Sequence, residues 1–556
     1  MKPIRRLIGL MILSLCTVFM MIFPPAKQAF SAAPVTPLTP LNQPYDVAQQ
    51  ATYTVSSTDK TDTFYHHIEA KTYPTPPGGL MSDGPKWNGF LRQLNRTVVV
   101  NLGQPYTLTS ASIDFLEETT RGILFPTHVQ FLISQNGTQW FTVNDVKSNT
   151  PLYYSGTLTQ TFSTPIPHIT AQYVKLVFPV DVWVLAKNLQ VYGSPLLTPS
   201  LAQLPIAPPK PFAPGTLSPS SKIADGISNA LLVYSGANGQ EGTWTPSDFD
   251  PMVAYHSGNN QISGKMFDTF LFLPYGSSLT TIYGWENYMN SLFTPNQQLD
   301  ALNQTVGADE SGLASIGVNE PTVNVILAIP YPNASITNFG KLWSSSSLSF
   351  SSNGQGTYVA YQNRLRAIEF YINSVLARFR EAHYAHLRLV GLYWDAESVS
   401  YASPNEVNLI EQAANLTHKN KLNFFWIPTY NASGLVSGSS YGFDDIILQS
   451  NYYETPSLTP QRMVTAANEA FQLNLGLELE MGNGILTSQT ARDRYYNELV
   501  AAFNSNAEGN TVHAVYAGSK LLVQAAQSTD PAVRNVYVET YDFLIGQFTN
   551  STYING

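Results

Sequence analysis

Apolar residues along this chain follow two different rhythms. Between about residues 40 and 195 they come in short runs divided by turn residues. Thr97-Val98-Val99-Val100-Asn101-Leu102 is a β-branched run stopped by Gly103, His128 to Ser134 alternates and then turns at Asn136-Gly137, and Tyr173 to Phe178 reads as another half-buried strand. A period of two puts one face in a core and the other in water, and β-branched residues pack well on such a surface. No helical spacing stands out between these runs, so the front block predicts a β-sandwich. After residue 221 the rhythm changes. Short, nearly continuous apolar runs at 230–235, 267–273, 322–329, 387–393, 422–427, 445–449, 473–479 and 513–516 alternate with helical stretches. Runs apolar on both faces suit a parallel sheet covered by helices. The clearest helix is Tyr361 to Ala382, with Leu365, Ile368, Ile372, Val375, Leu376 and Phe379 on one side, and 405–418, 460–472 and 491–504 are others. Eight strands with helical connections predict a (β/α)8 TIM barrel, with a doubly wound open sheet as the alternative. No Gly-x-Gly-x-x-Gly follows the first strand, so a dinucleotide fold has no support.

Seven prolines fall between Leu196 and Ser220, a composition that favours an extended, semi-rigid spacer. The first residues are of another kind. Lys2, Arg5 and Arg6 precede a nearly all-apolar run from Leu7 to Phe23, and Ala29-Phe30-Ser31 offers small residues where a signal peptidase reads. The alternative is a membrane anchor, but the run is at the lower limit for spanning a bilayer. The single cysteine, Cys16, lies in this segment, after a Leu15 too large for a lipoprotein signal. The expected division is therefore a signal peptide at 1–31, a sandwich at 40–195, a Pro-rich linker at 196–220 and a catalytic barrel at 221–556. The mature chain is expected to be secreted, extracellular or on the cell surface. It would have no membrane partner and no thiol chemistry. Its oligomeric state is left open.

Length and composition narrow the partners. A chain of 556 residues with 44% hydrophobic residues can build more than one core. Charged residues make up only 12%, about half the usual share, and the net charge is −9. Losing Lys2, Arg5, Arg6 and Lys27 with the leader moves that balance to about −13. No basic stripe is present to neutralise phosphates, which argues against nucleic acid. A surface rich in Asn, Gln, Ser, Thr and Tyr suits a neutral polar ligand, and carbohydrate is the expected partner.

The chemistry points to the strand ends, because a (β/α)8 barrel builds its site at their C-terminal face. The fourth strand reads Arg388 to Tyr393 and continues Trp394-Asp395-Ala396-Glu397. Alternation puts Tyr393, Asp395 and Glu397 on the lumen side. In the seventh, Leu477 and Leu479 face the helices while Glu478 and Glu480 point inward. Carboxylates inside an apolar strand are costly unless paired or used. A structural network, with Glu478 bonded to a basic group or an amide, is the alternative to catalysis. Glycosidic cleavage needs two carboxyls, one to protonate the leaving oxygen and one to attack or stabilise the developing cation.

Three resemblances sharpen this. Ser82-Asp83-Gly84, Trp87-Asn88-Gly89-Phe90, Val99 to Gly103, Gly122-Ile123, Ser134-Gln135-Asn136-Gly137, Trp140, Ala171 to Leu176 and Val191-Tyr192-Gly193 together resemble a discoidin-type jelly roll. Relatives of that fold bind sugars or lipid head groups through loops at one end. Some hold a structural calcium near the Asp-Gly turn, so a calcium there is carried as an expectation. Lys187-Asn188-Leu189 stands where relatives often have an acidic pair. Glutamates ending strands four and seven resemble a large clan of retaining barrel glycosidases, which implies Glu397 as acid/base and Glu480 as nucleophile. That clan usually has Asn before the acid/base, where this chain has Ala396, and Asp395 is the substitute acid. The Tyr393-Trp394-x-x-Glu397 and Glu478-Leu479-Glu480-Met481 strands resemble a secreted bacterial family known only as domain of unknown function 4855.

Aromatic and amide groups near other strand ends fit sugar stacking and hydroxyl bonding: Tyr275, Trp285, Tyr331, Trp394, Trp426, Tyr430, Asn451, Tyr452 and Tyr453. Asp395 and Glu478 are expected to bind substrate beside the catalytic pair. No His-Glu-x-x-His pattern occurs and His66-His67 and His383…His386 are read as isolated from carboxylates at ligand spacing, so no metal is expected at this site. No Gly-x-Ser-x-Gly lies in a strand–turn–helix context, which leaves an esterase unsupported. The expectation is a secreted glycoside hydrolase. The rival is a non-catalytic cell-wall or spore-surface binding protein with an inactive barrel.

Overall fold

A computed structural model describes residues 43–57, 63–152, 154–195 and 215–554, apart from short gaps at 237–238, 240, 258–260, 276–277, 320 and 343–345. The expected signal peptide and most of the proline-rich linker lie outside the described residues.

Strands in the front block pair antiparallel throughout, in the order Tyr45–Asp46, Trp183–Pro195, Asn95–Glu118, Thr157–Pro179, His128–Ser134 and Phe141–Lys147. Thr52–Ser56 adds to Asn95–Glu118, and Asn88–Leu91 adds to Trp183–Pro195. Two of these strands are far longer than the apolar runs suggested, because polar alternation carries them past each run's end. Val98, Val100, Leu108, Ile113 and Phe115 on one long strand meet Phe162, Val174, Leu176 and Phe178 on the other in a shared core. The hairpin signalled by Asn136-Gly137 joins His128–Ser134 to Phe141–Lys147. The sandwich also carries a helix, Thr63–Thr72, at its edge.

Eight parallel strands close the rear block into a barrel: Asn229–Gly236, Thr269–Tyr275, Val323–Ile329, Leu387–Trp394, Asn423–Trp426, Asp445–Leu448, Gly476–Met481 and His513–Ala517. The eighth returns to the first, with His513 opposite Asn229 and Val515 opposite Leu231. Strands such as Val323–Ile329, apolar but for Asn324, have lumen on one side and helices on the other, which is why every position is buried. Strand four carries a bulge. Leu389 pairs with Val325 and Gly391 with Ile326, leaving Val390 as the extra residue.

One connection departs from the expected repeat. Between strands five and six there is no α-helix, only the 3-10 turn Gly438–Tyr441. Residues 428–442 hold Gly434, Gly438 and Gly442, and Gly434 and Gly442 have φ of 94° and 100°. Such residues break helices, and the segment instead docks on the sandwich. Among the described residues no helix is long and apolar enough to cross a membrane.

Candidate active site

The C-terminal ends of the barrel strands surround a cavity of about 280 Å³. Its described lining brings together Asp395 and Glu397 past strand four, Glu478 and Glu480 on strand seven, and Glu454 past strand six. Tyr234, Tyr393, Tyr516, Gln449 and Asn451 supply the remaining polar groups, and no described lining residue is basic. Alternation along strands four and seven accounts for the carboxyls: Asp395 and Glu397 follow Tyr393 on the lumen side, as Glu480 follows Glu478.

Glu478 and Glu480 are each only 3% exposed, whereas Glu397 and Glu454 are exposed at the rim. The Asn451 backbone amide donates to Glu480 Oε1 at 3.1 Å, while Oε2 has no hydrogen-bond donor. Behind the strand, buried Glu498 on helix Gln489–Asn504 accepts the Glu480 backbone N–H at 2.8 Å. Burial, foremost, pushes the Glu480 carboxyl up to about 7, with neighbouring Glu454 and Glu397 adding repulsion and the Asn451 and Tyr453 amides offsetting part of it. Glu478 is held well above the usual carboxylate range by burial and then by Glu480 and Glu397. Asp395 is raised to about 7 by burial and by Glu397.

Asn451 works as a bracket. Its backbone lies in the left-handed region at φ 48°, which Asn tolerates. Its Oδ1 accepts from Thr429 Oγ1 at 2.6 Å and from the Tyr430 amide at 2.7 Å, and its Nδ2 donates to Gln449 Oε1 at 2.8 Å.

The proposed aromatic platform is not assembled. Trp394 is buried against Tyr331 and Phe424, on the opposite side of its strand from Tyr393 and Asp395. Trp426 is buried against Phe443 and donates to the Ala396 carbonyl at 2.7 Å. Tyr452 is buried under the Arg494 guanidinium, and Tyr430 packs against Arg462. Tyr331 donates to Glu406, Trp285 is buried against Phe339, and Tyr453 bonds the Gly482 carbonyl. Tyr275 stands next to the cavity rather than in its lining, 5.1 Å from the Tyr234 ring and bonded to Glu241. Adjacent positions on a strand point to opposite sides, so Trp394 next to Tyr393 was bound to face the helices. The aromatic groups that do line the cavity are Tyr234, Tyr393 and Tyr516. Tyr234 and Tyr516 end strands one and eight, where the same parity reading finds them. Glu454 follows Tyr453 directly.

The calcium expectation meets residues that do not fit it. Lys187 Nζ donates to the Gly84 carbonyl at 2.8 Å and lies over the Trp87 ring, and the Asn188 amide takes the Ser82 carbonyl at 3.0 Å. An ammonium already takes a carbonyl of the turn. Among the described residues no group of three or more His, Cys, Asp or Glu is arranged to hold a metal ion.

Two family models match the chain. One, described as a domain of unknown function (DUF4855), matches residues 229–542, and an F5/8 type C domain model matches 50–187. The chain belongs to the DUF4855 family. The DUF4855 barrel is thus joined to a discoidin-like sandwich, as the sequence resemblances implied. No curated protein matches the chain. Among solved structures, the sandwich is similar to CpGH89CBM32-6 from Clostridium perfringens, at 14% identity over 27% of this chain and 100% of that one, with a TM-score of 0.19. The GH29 fucosidase E1_10125 of Ruminococcus gnavus, in complex with fucose, matches at 13% identity over 27% of each chain, with a TM-score of 0.19. The Clostridium thermocellum endo-1,4-beta-D-xylanase 10B CBM22-1–GH10 modules, complexed with xylohexaose, match at 9% identity over 86% of this chain and 90% of that one, with a TM-score of 0.30. At these values the likenesses carry no argument about function.

Proposed function

We propose that this DUF4855 barrel is a secreted glycoside hydrolase working through Glu397 and Glu480. The observation that carries the reading is one cavity at the strand ends holding carboxyls from strands four and seven, with no cation among its described lining. A cleaved glycosidic bond leaves positive charge on the sugar's anomeric carbon, and such a lining stabilises it. Glu397, at the open rim, gives its proton to the leaving oxygen as the C–O bond breaks. Glu480 bonds to the anomeric carbon from the other face. Water then gives a proton back to Glu397 while its oxygen displaces Glu480, so atoms and charge balance over two steps. Gln449, Asn451 and the three tyrosines would bond and stack the ring.

The test is release of reducing ends across a polysaccharide panel by the full chain and by Glu397→Gln and Glu480→Gln. Each variant keeps its shape but loses the proton or the charge, so the rate should fall about 10²–10⁴-fold. Only ionised Glu480 attacks, so the rate should also rise as pH passes upward through about 7. A rate that falls over that range exchanges the two roles. Near wild-type rates in both variants, with Asp395→Asn or Glu478→Gln inactive, would move the pair. Silence on every substrate despite binding would make the protein a binding protein.

A further inference from the structure

Two carboxyls suffice for the proposed chemistry, yet the cavity holds five. Asp395, Glu454 and Glu478 remain over, and Glu498 adds a sixth acid just behind strand seven. Elsewhere some enclosed acids meet the chain's own cations, while others, such as Asp181, are satisfied by amides and hydroxyls. Buried Glu406 meets Arg364 at 2.7 Å, Asp248 meets Lys520 at 2.9 Å, and Glu69 meets Arg96. The cavity gathers five acids in one place, and none of its described lining residues is Lys, Arg or His. A second observation points the same way. Glu480 is 97% enclosed and lines the cavity, and its Oε2 has no hydrogen-bond donor. A buried acceptor without a partner is costly, and in a site built for a ligand the ligand supplies the donor.

Neutral sugar hydroxyls could donate to Glu480, but they would leave the excess negative charge unanswered. An ammonium brings up to three donors and a positive charge together. The faces of Tyr234, Tyr393 and Tyr516 around it would add cation–π attraction. We infer that the cavity selects a hexosamine whose amine is free and charged, with Glu478, Glu454 and Asp395 answering the ammonium. This deepens the hydrolase reading by naming its substrate class, and it rests on carbohydrate being the ligand. An N-acetyl group in the same place would remove the charge and bring bulk against the carboxyls.

The test is equilibrium titration of the full chain at about pH 7, where an amine is still largely protonated and the Asp395 and Glu480 carboxyls, raised to about 7, are already partly ionised. The probes are a β-1,4-linked glucosamine tetramer, its fully N-acetylated counterpart and a β-1,4-linked glucose tetramer. The free-amine tetramer should bind at least about 10-fold tighter than either, the size expected of one charge-assisted contact. That preference should shrink with added salt, and should fall below about 3-fold in Glu454→Gln, an exposed position where loss of folding is not a concern. Glu478→Gln, a buried near-isostere, should lower it too. Equal or tighter binding of the acetylated or glucose tetramer would overturn the inference, as would a preference indifferent to both variants. The hydrolase reading fails separately. If the free-amine tetramer binds preferentially but stays intact, the selectivity stands and catalysis does not. If only uncharged tetramers are cut, catalysis stands and the selectivity does not.

Discussion

Burial, foremost, pushes the Asp395 and Glu480 carboxyls up to about 7 and holds Glu478 well above the usual carboxylate range, because it disfavours their charged forms. Asp445 and Glu117, at about 7, and Asp309, at about 6, share this cause. A carboxyl raised in the folded state binds more protons there than in the unfolded chain between its two pKa values. Its contribution is therefore full at the acid end of that window and is lost as pH rises through about 7. His513, lowered by burial to about 4, acts the other way, losing stability as pH falls from its unfolded value toward 4. Several carboxyls outweigh one histidine. The melting temperature should be higher at about pH 5.5 than at pH 8, by about 5 °C or more, as read by calorimetry. A maximum at pH 8 would show that the acids are solvated in the folded state. These groups were legible in the sequence because parity along a strand is a rigid rule: Glu478 with Glu480, and Asp395 with Glu397, share a side. Trp394, Trp426, Tyr430 and Tyr452 were misread because closeness to a strand end does not say which side a residue takes. The same rule, applied one residue along, puts Trp394 among the helices.

At the scale of elements, strand four matters because two of the five carboxyls, Asp395 and Glu397, follow directly from its end. Its bulge at Val390 adds a residue, and Gly391 follows with its backbone close to strand five. A Cβ at Gly391 would sit 2.1 Å from the Phe425 ring and 2.7 Å from the Asn423 carbonyl oxygen. Neither can yield easily, since Phe425 is buried and the carbonyl belongs to the neighbouring strand. Gly391→Ala should therefore cost about 1–3 kcal/mol in denaturant unfolding and lower activity beyond what the stability loss explains. An unchanged midpoint would mean the two strands part freely. Bulges of this kind escape a reading of apolar rhythm, because the extra residue here, Val390, is as apolar as its neighbours. Helix Thr63–Thr72 escaped for a related reason. Its sequence, TFYHHIEAKT, has no apolar stripe to mark it. The barrel strands were legible to within a few residues because each is a compact apolar run between polar helices. The missing helix between strands five and six was hidden by the opposite habit, that of assuming every repeat is complete.

At the scale of the whole molecule, that missing helix gives the sandwich a role in the site. The turn between strands Thr157–Pro179 and Trp183–Pro195 carries Asp181, 8% exposed, which reaches into the barrel. Its carboxylate accepts the Gly434 amide at 2.8 and 3.0 Å, the Val436 amide at 3.3 Å and the Tyr401 hydroxyl at 2.6 Å. Arg92, also from the sandwich, donates to the Asn431 carbonyl. The segment held in this way then grips both proposed catalytic residues. The Thr429 amide donates to the Glu397 carbonyl at 3.1 Å, and Thr429 and Tyr430 hold the Asn451 side chain whose backbone amide reaches Glu480. If the sandwich were a targeting unit alone, loosening it would spare soluble substrates. The hydrogen bonds argue for a buttress. Asp181→Ala in the full chain should leave two or three enclosed donors unpaired, costing roughly 1–3 kcal/mol. On a short soluble oligosaccharide it should lower kcat about 10-fold with little change in KM, because it misaligns Glu397 and Glu480 without touching the ligand. Asp181→Asn, which keeps one acceptor oxygen, should recover part of that loss. If Asp181→Ala melts at a lower temperature yet turns over soluble substrate at the wild-type rate, Asp181 only fastens two domains together.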